Sequence, residues 1–226
     1  MNLKILSLVI IGVCILLPDV CYAFLSKDVH LLNMQNGLAD NTVSAVYKDK
    51  EGFVWFGTRN GLSRYDGRRI TNFERSRSYP SISNLKEVFD GVLAFVDNGV
   101  FSAFDLKKER FLSVVSSSGQ GIPSRGMLQR NDSLVWVISG SELHLMKRCA
   151  SKEGELRLRV QEKYTGWNNQ DNLLVAITYS SDKKSICLID EKGRIILLDA
   201  TNLNSFRVID LGRIGSLSVN SVLYDD

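Results

Sequence analysis

The chain has 226 residues, of which 44% are hydrophobic and 23% charged, and its formal net charge is +3 at pH 7. This length and composition suffice for one sizeable hydrophobic core. The small net charge gives no indication of a nucleic-acid partner. With three prolines and 17 glycines, the composition does not suggest a disordered chain.

Residues 1–23 have the pattern of a secretory signal peptide. Lys4 provides the positive charge, residues 5–17 form an apolar run, and small residues at 21 and 23 form a cleavage site. The apolar run is too short to span a bilayer comfortably, although an uncleaved anchor is the alternative. We therefore expect an exported protein and leave this segment out of the fold.

Residues 37–73 are the clearest copy of a repeated unit. Residues 53–58 (FVWFGT) are apolar without alternation, which predicts a strand covered on both faces. A turn at 49–52 precedes this strand. The hairpin dipeptides Asn60-Gly61 and Asp66-Gly67 follow it, and we predict positive φ at Asn60-Gly61. The unit is therefore predicted to be a four-stranded antiparallel meander, which we call a blade.

Similar units follow at a period of about 40 residues, which is typical of propeller blades. Asn98-Gly99 repeats Asn60-Gly61 one period later and is predicted to adopt the same positive φ, and Trp136 falls two periods after Trp55. The predicted blades are 37–73, 82–115, 122–161 and 171–211, and the first strand of another begins at 216–226. A lone four-stranded sheet cannot bury both faces, whereas radially stacked sheets can. The predicted fold is therefore all-β, a partial β-propeller of about four blades plus one strand.

The spacing V-x-x-V-x-x-D-x-x-G-x-V-W-x-G-T-x-x-G-L-x-x-Y-D in the first blade resembles a known repeat. It is similar to the propeller repeat of two-component regulators, found in the periplasmic sensors of hybrid histidine kinases of glycan-degrading bacteria. The positions that define this motif are Asp49, Gly52, Trp55, Gly57, Gly61, Tyr65 and Asp66, together with Val43, Val46, Thr58 and Leu62.

The resemblance implies a function. It makes this chain the N-terminal, ligand-sensing propeller of such a regulator, located in the periplasm, with an oligosaccharide ligand and no cofactor. In the family the full-length sensor is a homodimeric histidine kinase with a β-sandwich after the propeller. This sequence has no kinase, receiver or DNA-binding segment, so on this interpretation it is a fragment and not itself an enzyme. Residues 29–33 are expected to supply the outer strand of the last blade.

Two other functions stay open. One is a free-standing exported propeller that binds a protein or a carbohydrate. The other is a propeller glycosidase or lyase, which requires two carboxylates facing the ring axis. The recurring aspartates, Asp49, Asp66, Asp105 and Asp199, lie at turns, where binding of the local backbone explains them. We therefore predict no catalytic residue.

Few other side chains indicate chemistry. Outside the signal segment the histidines are His30 and His144, and an isolated histidine makes neither a metal site nor a catalytic triad. Trp55 and Trp136 are interpreted as packing between blades, whereas Trp167 lies in a loop and is a candidate for stacking on a sugar.

Arginines concentrate near the turns of the first blade. Arg59 and Arg64, with Arg68 and Arg69 nearby, are candidates for contact with an anionic glycan. The alternative is an ordinary solvated rim. The ligand-binding residues otherwise stay unidentified.

Two cysteines, Cys149 and Cys187, lie outside the signal segment and would be exported to an oxidising compartment. They fall at different strand positions of successive blades. We predict two independent thiols, with a disulfide as the alternative.

Overall fold

A computed structural model describes residues 31–74, 82–167 and 172–210. The predicted signal peptide and the predicted strand at 216–226 lie outside the described residues. The described strands belong to one compact unit that begins at Asn33. A short 3-10 helix, Met34–Asn36, precedes them.

The described chain is all-β, as predicted. The first blade contains β1 (Val43–Lys48), β2 (Val54–Thr58), β3 (Gly61–Tyr65) and β4 (Ile70–Glu74). The second contains β5 (Ile82–Phe89), β6 (Val92–Asp97), β7 (Val100–Asp105) and β8 (Arg110–Ser116). The third contains β9 (Gly126–Asn131), β10 (Leu134–Ser139), β11 (Glu142–Cys149) and β12 (Glu155–Tyr164). The fourth contains β13 (Leu174–Tyr179), β14 (Ser185–Asp190), β15 (Arg194–Asp199) and β16 (Phe206–Asp210).

Each blade is a meander in which consecutive strands pair antiparallel. The first strands of the blades contact each other in succession, β1 with β5, β5 with β9, and β9 with β13. First strands packed side by side are the arrangement expected around a propeller axis. The predicted partial β-propeller is therefore confirmed.

The hydrophobic core lies between blades, in three layers. One layer joins blades 1 and 2 around Trp55 and Phe104, a second joins blades 2 and 3, and a third joins blades 3 and 4 around Trp136. The sequence of β6 does not alternate between polar and apolar residues, because all six of its residues are buried. Leu93 and Phe95 face blade 1, whereas Val92, Ala94 and Val96 face blade 3.

The outer strands of blades 2 and 3 pair directly, which the sequence did not predict. Strand β12 runs parallel to β8 over Glu155–Leu158, opposite Ser113–Ser116. The amide of Ser113 also donates to the carbonyl of Gly154 at 2.9 Å. Blades 2 and 3 therefore form one eight-stranded sheet.

The expected outer strand at 29–33 is wrong for its described part, because residues 31–33 form no strand. Asn33 instead caps the 3-10 helix. Its side chain accepts from the amide of Asn36 at 3.1 Å, and the Asn36 side chain accepts from the amide of Asn33 at 2.9 Å. Asparagine side chains compete with strand pairing through such local bonds.

The two Asn-Gly turns differ from one another. Asn98 and Gly99 both have positive φ, 49° and 78°, as a two-residue hairpin of the predicted kind requires. At the other turn only Gly61 has positive φ, 120°, and Gly61 pairs with Thr58. The loop there is Arg59-Asn60, so the prediction of positive φ is wrong for Asn60.

Gly61 and Gly67 provide a matched test of this turn. A Cβ on Gly61 would lie 2.4 Å from the carbonyl oxygen of Phe73, whereas nothing lies within 4 Å of a Cβ on Gly67, whose φ is +95°. We expect Gly67→Ala to cost about 1–2 kcal/mol through backbone strain alone. Gly61→Ala should cost roughly 1–3 kcal/mol more because of overpacking. Urea unfolding measures both, and equal losses would contradict this account of Gly61.

Candidate functional site

Asp49 closes the turn between β1 and β2. Its Oδ1 accepts from the amides of Glu51 at 3.0 Å and Phe53 at 2.9 Å. The amide of Gly52 donates to the carbonyl of Asp49 at 3.1 Å, and Gly52 has a φ of +94°. One carboxylate and one left-handed glycine therefore fix this turn.

The second oxygen of the same carboxylate reaches the core. Asp49 Oδ2 accepts from the indole nitrogen of Trp55 at 2.7 Å, and Trp55 is only 1% exposed. A hydrogen bond to an ionised acceptor is short and strong. The bond gives a physical reason for the Asp49, Gly52 and Trp55 spacing of the repeat. We call this arrangement the Asp–Trp lock.

The Trp55 ring joins blades 1 and 2. It stacks on Phe73 with ring centroids 5.6 Å apart and meets Phe104 of blade 2 at 5.5 Å. On the same side, the guanidinium of Arg64 lies over the rings of Phe53 at 4.8 Å and Trp55 at 5.6 Å. Cations over aromatic faces are attracted by the ring quadrupole.

A groove of about 390 Å³ opens beside this cluster, between blades 1 and 2. The β1–β2, β5–β6 and β7–β8 turns line it, together with Phe53 and Trp55. Its volume lies within the usual range for small-ligand sites. The charged side chains that line it are the acids Asp49, Glu51, Glu87, Asp90 and Glu109 and the bases Lys50, Arg64 and Lys107.

Ion pairs across the groove connect the two blades. Lys50 Nζ lies 3.3 Å from Glu87 Oε1, and Arg64 Nη1 lies 2.7 Å from Glu109 Oε1. Glu87 Oε1 also accepts from the amide of Gly91 at 3.0 Å. Each of these acids lies in the blade after its base, so no spacing within one repeat could have indicated the pairing.

Three of the candidate ligand-binding residues, Arg59, Arg64 and Trp167, do not come together. Arg64 lines the groove but already contacts Glu109. Arg59 is exposed in the loop after β2, at the opposite end of that strand from Asp49. Trp167 is 6% exposed and packs edge-on against Phe206 at 6.4 Å. Its burial in the core between blades 3 and 4 leaves packing as its observed role.

The recurring aspartates bind their own turns. Asp66 accepts from the amides at 68 and 69, Asp105 from those at 107 and 108, and Asp199 from those at 201 and 202. Backbone hydrogen bonds hold the pKa of Asp66 below its ordinary value. The side chain of Thr201 is the main cause of the lowered pKa of Asp199. These hydrogen bonds explain why aspartate recurs at the turns, and the explanation requires no catalytic role.

His144 pairs with a glutamate, and the two cysteines are unpaired with each other. His144 is 9% exposed, and its Nε2 lies 2.5 Å from Glu142 Oε2. This contact, aided by Lys163, holds the pKa of the Glu142 carboxyl below its ordinary value. Cys149 and Cys187 are free thiols, as predicted. Burial raises the pKa of the Cys187 thiol.

The described residues contain no group of three or more His, Cys, Asp or Glu side chains placed to hold a metal ion. Among the same residues, no helix is long and apolar enough to cross a membrane.

The first repeat and the fold have counterparts among known proteins. Residues 37–60 match the family model described as "Two component regulator propeller". No curated protein matches the sequence. The chain is thus a β-propeller protein by its fold, and residues 37–60 are a two-component regulator propeller repeat.

Solved structures share the fold at low identity. The extracellular domain of a protein of B. thetaiotaomicron described as a one-component system has a TM-score of 0.59 and 14% identity, over 82% of this chain and 28% of that one. The extracellular domain of a protein described as a hybrid two-component system of the same organism has a TM-score of 0.57 and 17% identity, over 81% and 27%. The β-propeller domain of Cps50 (Swd1) from Myceliophteria thermophila has a TM-score of 0.52 and 15% identity, over 76% and 57%. This chain therefore spans little more than a quarter of the first two structures.

A double-mutant cycle tests the Asp–Trp lock. Asp49→Ala removes the turn bonds and the indole acceptor, whereas Trp55→Phe removes the indole donor with part of the ring and leaves the turn bonds in place. We expect the two losses of unfolding free energy to couple by about 1–2 kcal/mol, as contacting residues do. Asp66→Ala with Trp55→Phe is the control pair, because Asp66 caps an exposed turn. Additive losses in the first pair would show that the indole bond adds no stability.

Removing the Trp55 ring tests the packing between blades. Trp55→Ala should destabilise the protein by roughly 3–5 kcal/mol, as other large-to-small core changes do. Chemical denaturation provides the measurement. A loss below about 1 kcal/mol, the size expected at a surface position, would mean that the ring is not buried between blades.

Proposed function

We propose that this chain is the ligand-sensing propeller of an exported two-component regulator and that its ligand is an oligosaccharide. The observation that carries the proposal is the match of residues 37–60 to the two-component regulator propeller repeat. The match is supported physically, because Asp49, Gly52 and Trp55 form the lock that holds the first blade together. The neighbours described as extracellular domains of one- and two-component systems support the same class.

Export is part of the proposal. The charged, apolar and small-residue parts of 1–23 are in the order of a signal peptide. The two similar structures from B. thetaiotaomicron are extracellular domains by their descriptions. A propeller on the outer side of the inner membrane would meet oligosaccharides before they are taken up.

The groove between blades 1 and 2 is the proposed ligand site. It combines aromatic and apolar walls with carboxylates and amines at its rim, the mixture that polyhydroxylated ligands need for hydrogen bonding and packing. Four of its five acids are engaged in turn bonds or ion pairs, as at Asp49, Glu87 and Glu109. A binding role fits these contacts better than hydrolysis does, so we propose that this chain is not an enzyme.

Signalling then requires further parts of a regulator. We propose that the propeller acts as one portion of a homodimeric sensor histidine kinase, in which a bound oligosaccharide alters the propeller and the change is relayed to the kinase. A ligand acts on such an equilibrium only through its different affinity for the two states. The groove lies at a junction between blades, where a ligand can contact both.

Ligand-induced stabilisation tests the proposed function. A ligand present at 100 times its Kd stabilises the folded state by about 2.7 kcal/mol. For a chain of this size that raises Tm by roughly 5–10 °C. The purified chain should show such a shift with at least one member of an oligosaccharide panel, and chromatography should recover that oligosaccharide intact. No shift with any member would contradict the proposal, and cleavage would favour the glycosidase alternative.

A further inference from the structure

The charged side chains that line the groove affect whether it binds uncharged or acidic oligosaccharides. Five carboxylates and three basic side chains line it, so acids outnumber bases. A concave site with an excess of one sign focuses the field of that sign. We infer that the groove selects uncharged oligosaccharides and rejects acidic ones, an inference that rests on the proposed function.

Each base of the groove already has an acidic partner. Lys50 lies 3.3 Å from Glu87, Arg64 lies 2.7 Å from Glu109, and Lys107 lies 3.3 Å from Asp90. An incoming carboxylate or sulfate bound to one of these bases would lie beside the acid already paired with that base. Two negative charges would then lie close together in the groove, and like charges at such distances repel.

Arg64 is the least available of these bases. Its side chain is 19% exposed, against 74% for Lys50 and 76% for Lys107. Its guanidinium lies over the rings of Phe53, Trp55 and Phe73 at 4.8–5.6 Å. The bond to Glu109 satisfies its charge there. Arg64 therefore holds the two blades together and is poorly placed to bind an acidic sugar.

Uncharged sugars face no such cost. A hydroxyl both donates and accepts, so it can bond to Lys50 or Lys107 and to an acid without bringing a second negative charge to an ion pair. Glu51 provides a free acceptor, because its exposed carboxylate has no hydrogen-bond or ion-pair partner among the described residues. The partly buried Phe53 adds apolar surface in the same groove.

Calorimetric titration of the purified chain tests this selectivity. The uncharged probes are xylohexaose, arabinohexaose and mannohexaose, and the acidic probes are hexagalacturonate and a heparin-derived hexasaccharide. We expect at least one uncharged probe to bind, with a Kd that changes by less than about threefold between roughly 0.01 M and 1 M ionic strength, because it carries no charge to screen. The acidic probes should bind at least about tenfold more weakly.

Reversing one charge locates the effect in the groove. Glu51→Lys should tighten hexagalacturonate binding by about tenfold at low ionic strength, because a repulsive charge becomes an attractive one. Asp132→Lys is the matched control. Asp132 is an exposed residue of the β9–β10 turn in blade 3, so the same change of net charge is made away from the groove.

The outcomes are separable. Acidic probes that bind the unmodified chain as tightly as uncharged ones would overturn the selectivity and leave oligosaccharide sensing intact. Equal effects of Glu51→Lys and Asp132→Lys would overturn the placement of the selectivity in this groove. Failure of every probe to bind would overturn the proposed function itself, and the selectivity with it.

Discussion

The hydrogen bond between Asp49 and Trp55 is the contact on which the first blade depends. One carboxylate binds two turn amides with one oxygen and the indole nitrogen with the other, at 2.7 Å. The turn therefore fixes the orientation of the ring, and the ring fixes the face that blade 1 presents to Phe104 of blade 2. A buried indole nitrogen without this acceptor would cost free energy comparable to a lost hydrogen bond. Asp49 thus both closes its own turn and orients the Trp55 ring that packs between the blades.

The third blade does not reproduce this lock, and it replaces its parts separately. The indole of Trp136 donates to the hydroxyl of Tyr179 in the fourth blade, at 3.2 Å. The turn between β9 and β10 is held by Asn131, which accepts from the amides of Ser133 and Leu134. Two residues of different blades therefore share the two roles that Asp49 has alone in the first blade. This division is a physical reason for the departure of the third blade from the motif of residues 37–60.

The junctions between blades are built from different interactions. Blades 1 and 2 meet through side chains, with two ion pairs across an open groove. Blades 2 and 3 meet through a backbone ladder between β8 and β12. Each of these ion pairs has one largely buried partner, Glu87 at 9% exposure and Arg64 at 19%, whereas backbone pairing leaves no polar group unsatisfied. The open first junction is the place of the proposed ligand site, and the second joins its blades into one sheet.

The sequence by itself determined the strands and turns, because these depend on neighbouring residues. Residues 53–58 lack alternation, and that pattern predicted a strand covered on both faces before any neighbour was known. Asp49, Asp66 and Asp105 were correctly interpreted as turn residues, because a carboxylate binds amides two to four positions away. The all-β propeller followed from the need to cover both faces of each four-stranded unit.

Only the tertiary structure decided the contacts between blades. The pairing of β8 with β12, the partners of Lys50 and Arg64, and the burial of Trp167 each join residues or strands that are far apart in the chain. A pattern within one repeat gives no information about contacts with another blade. A charged residue near a turn was therefore interpreted as available for a ligand although its ion-pair partner lies in the next blade. Arg64 and Trp167 were singled out as exposed candidates for this reason, and packing between blades gave them other roles.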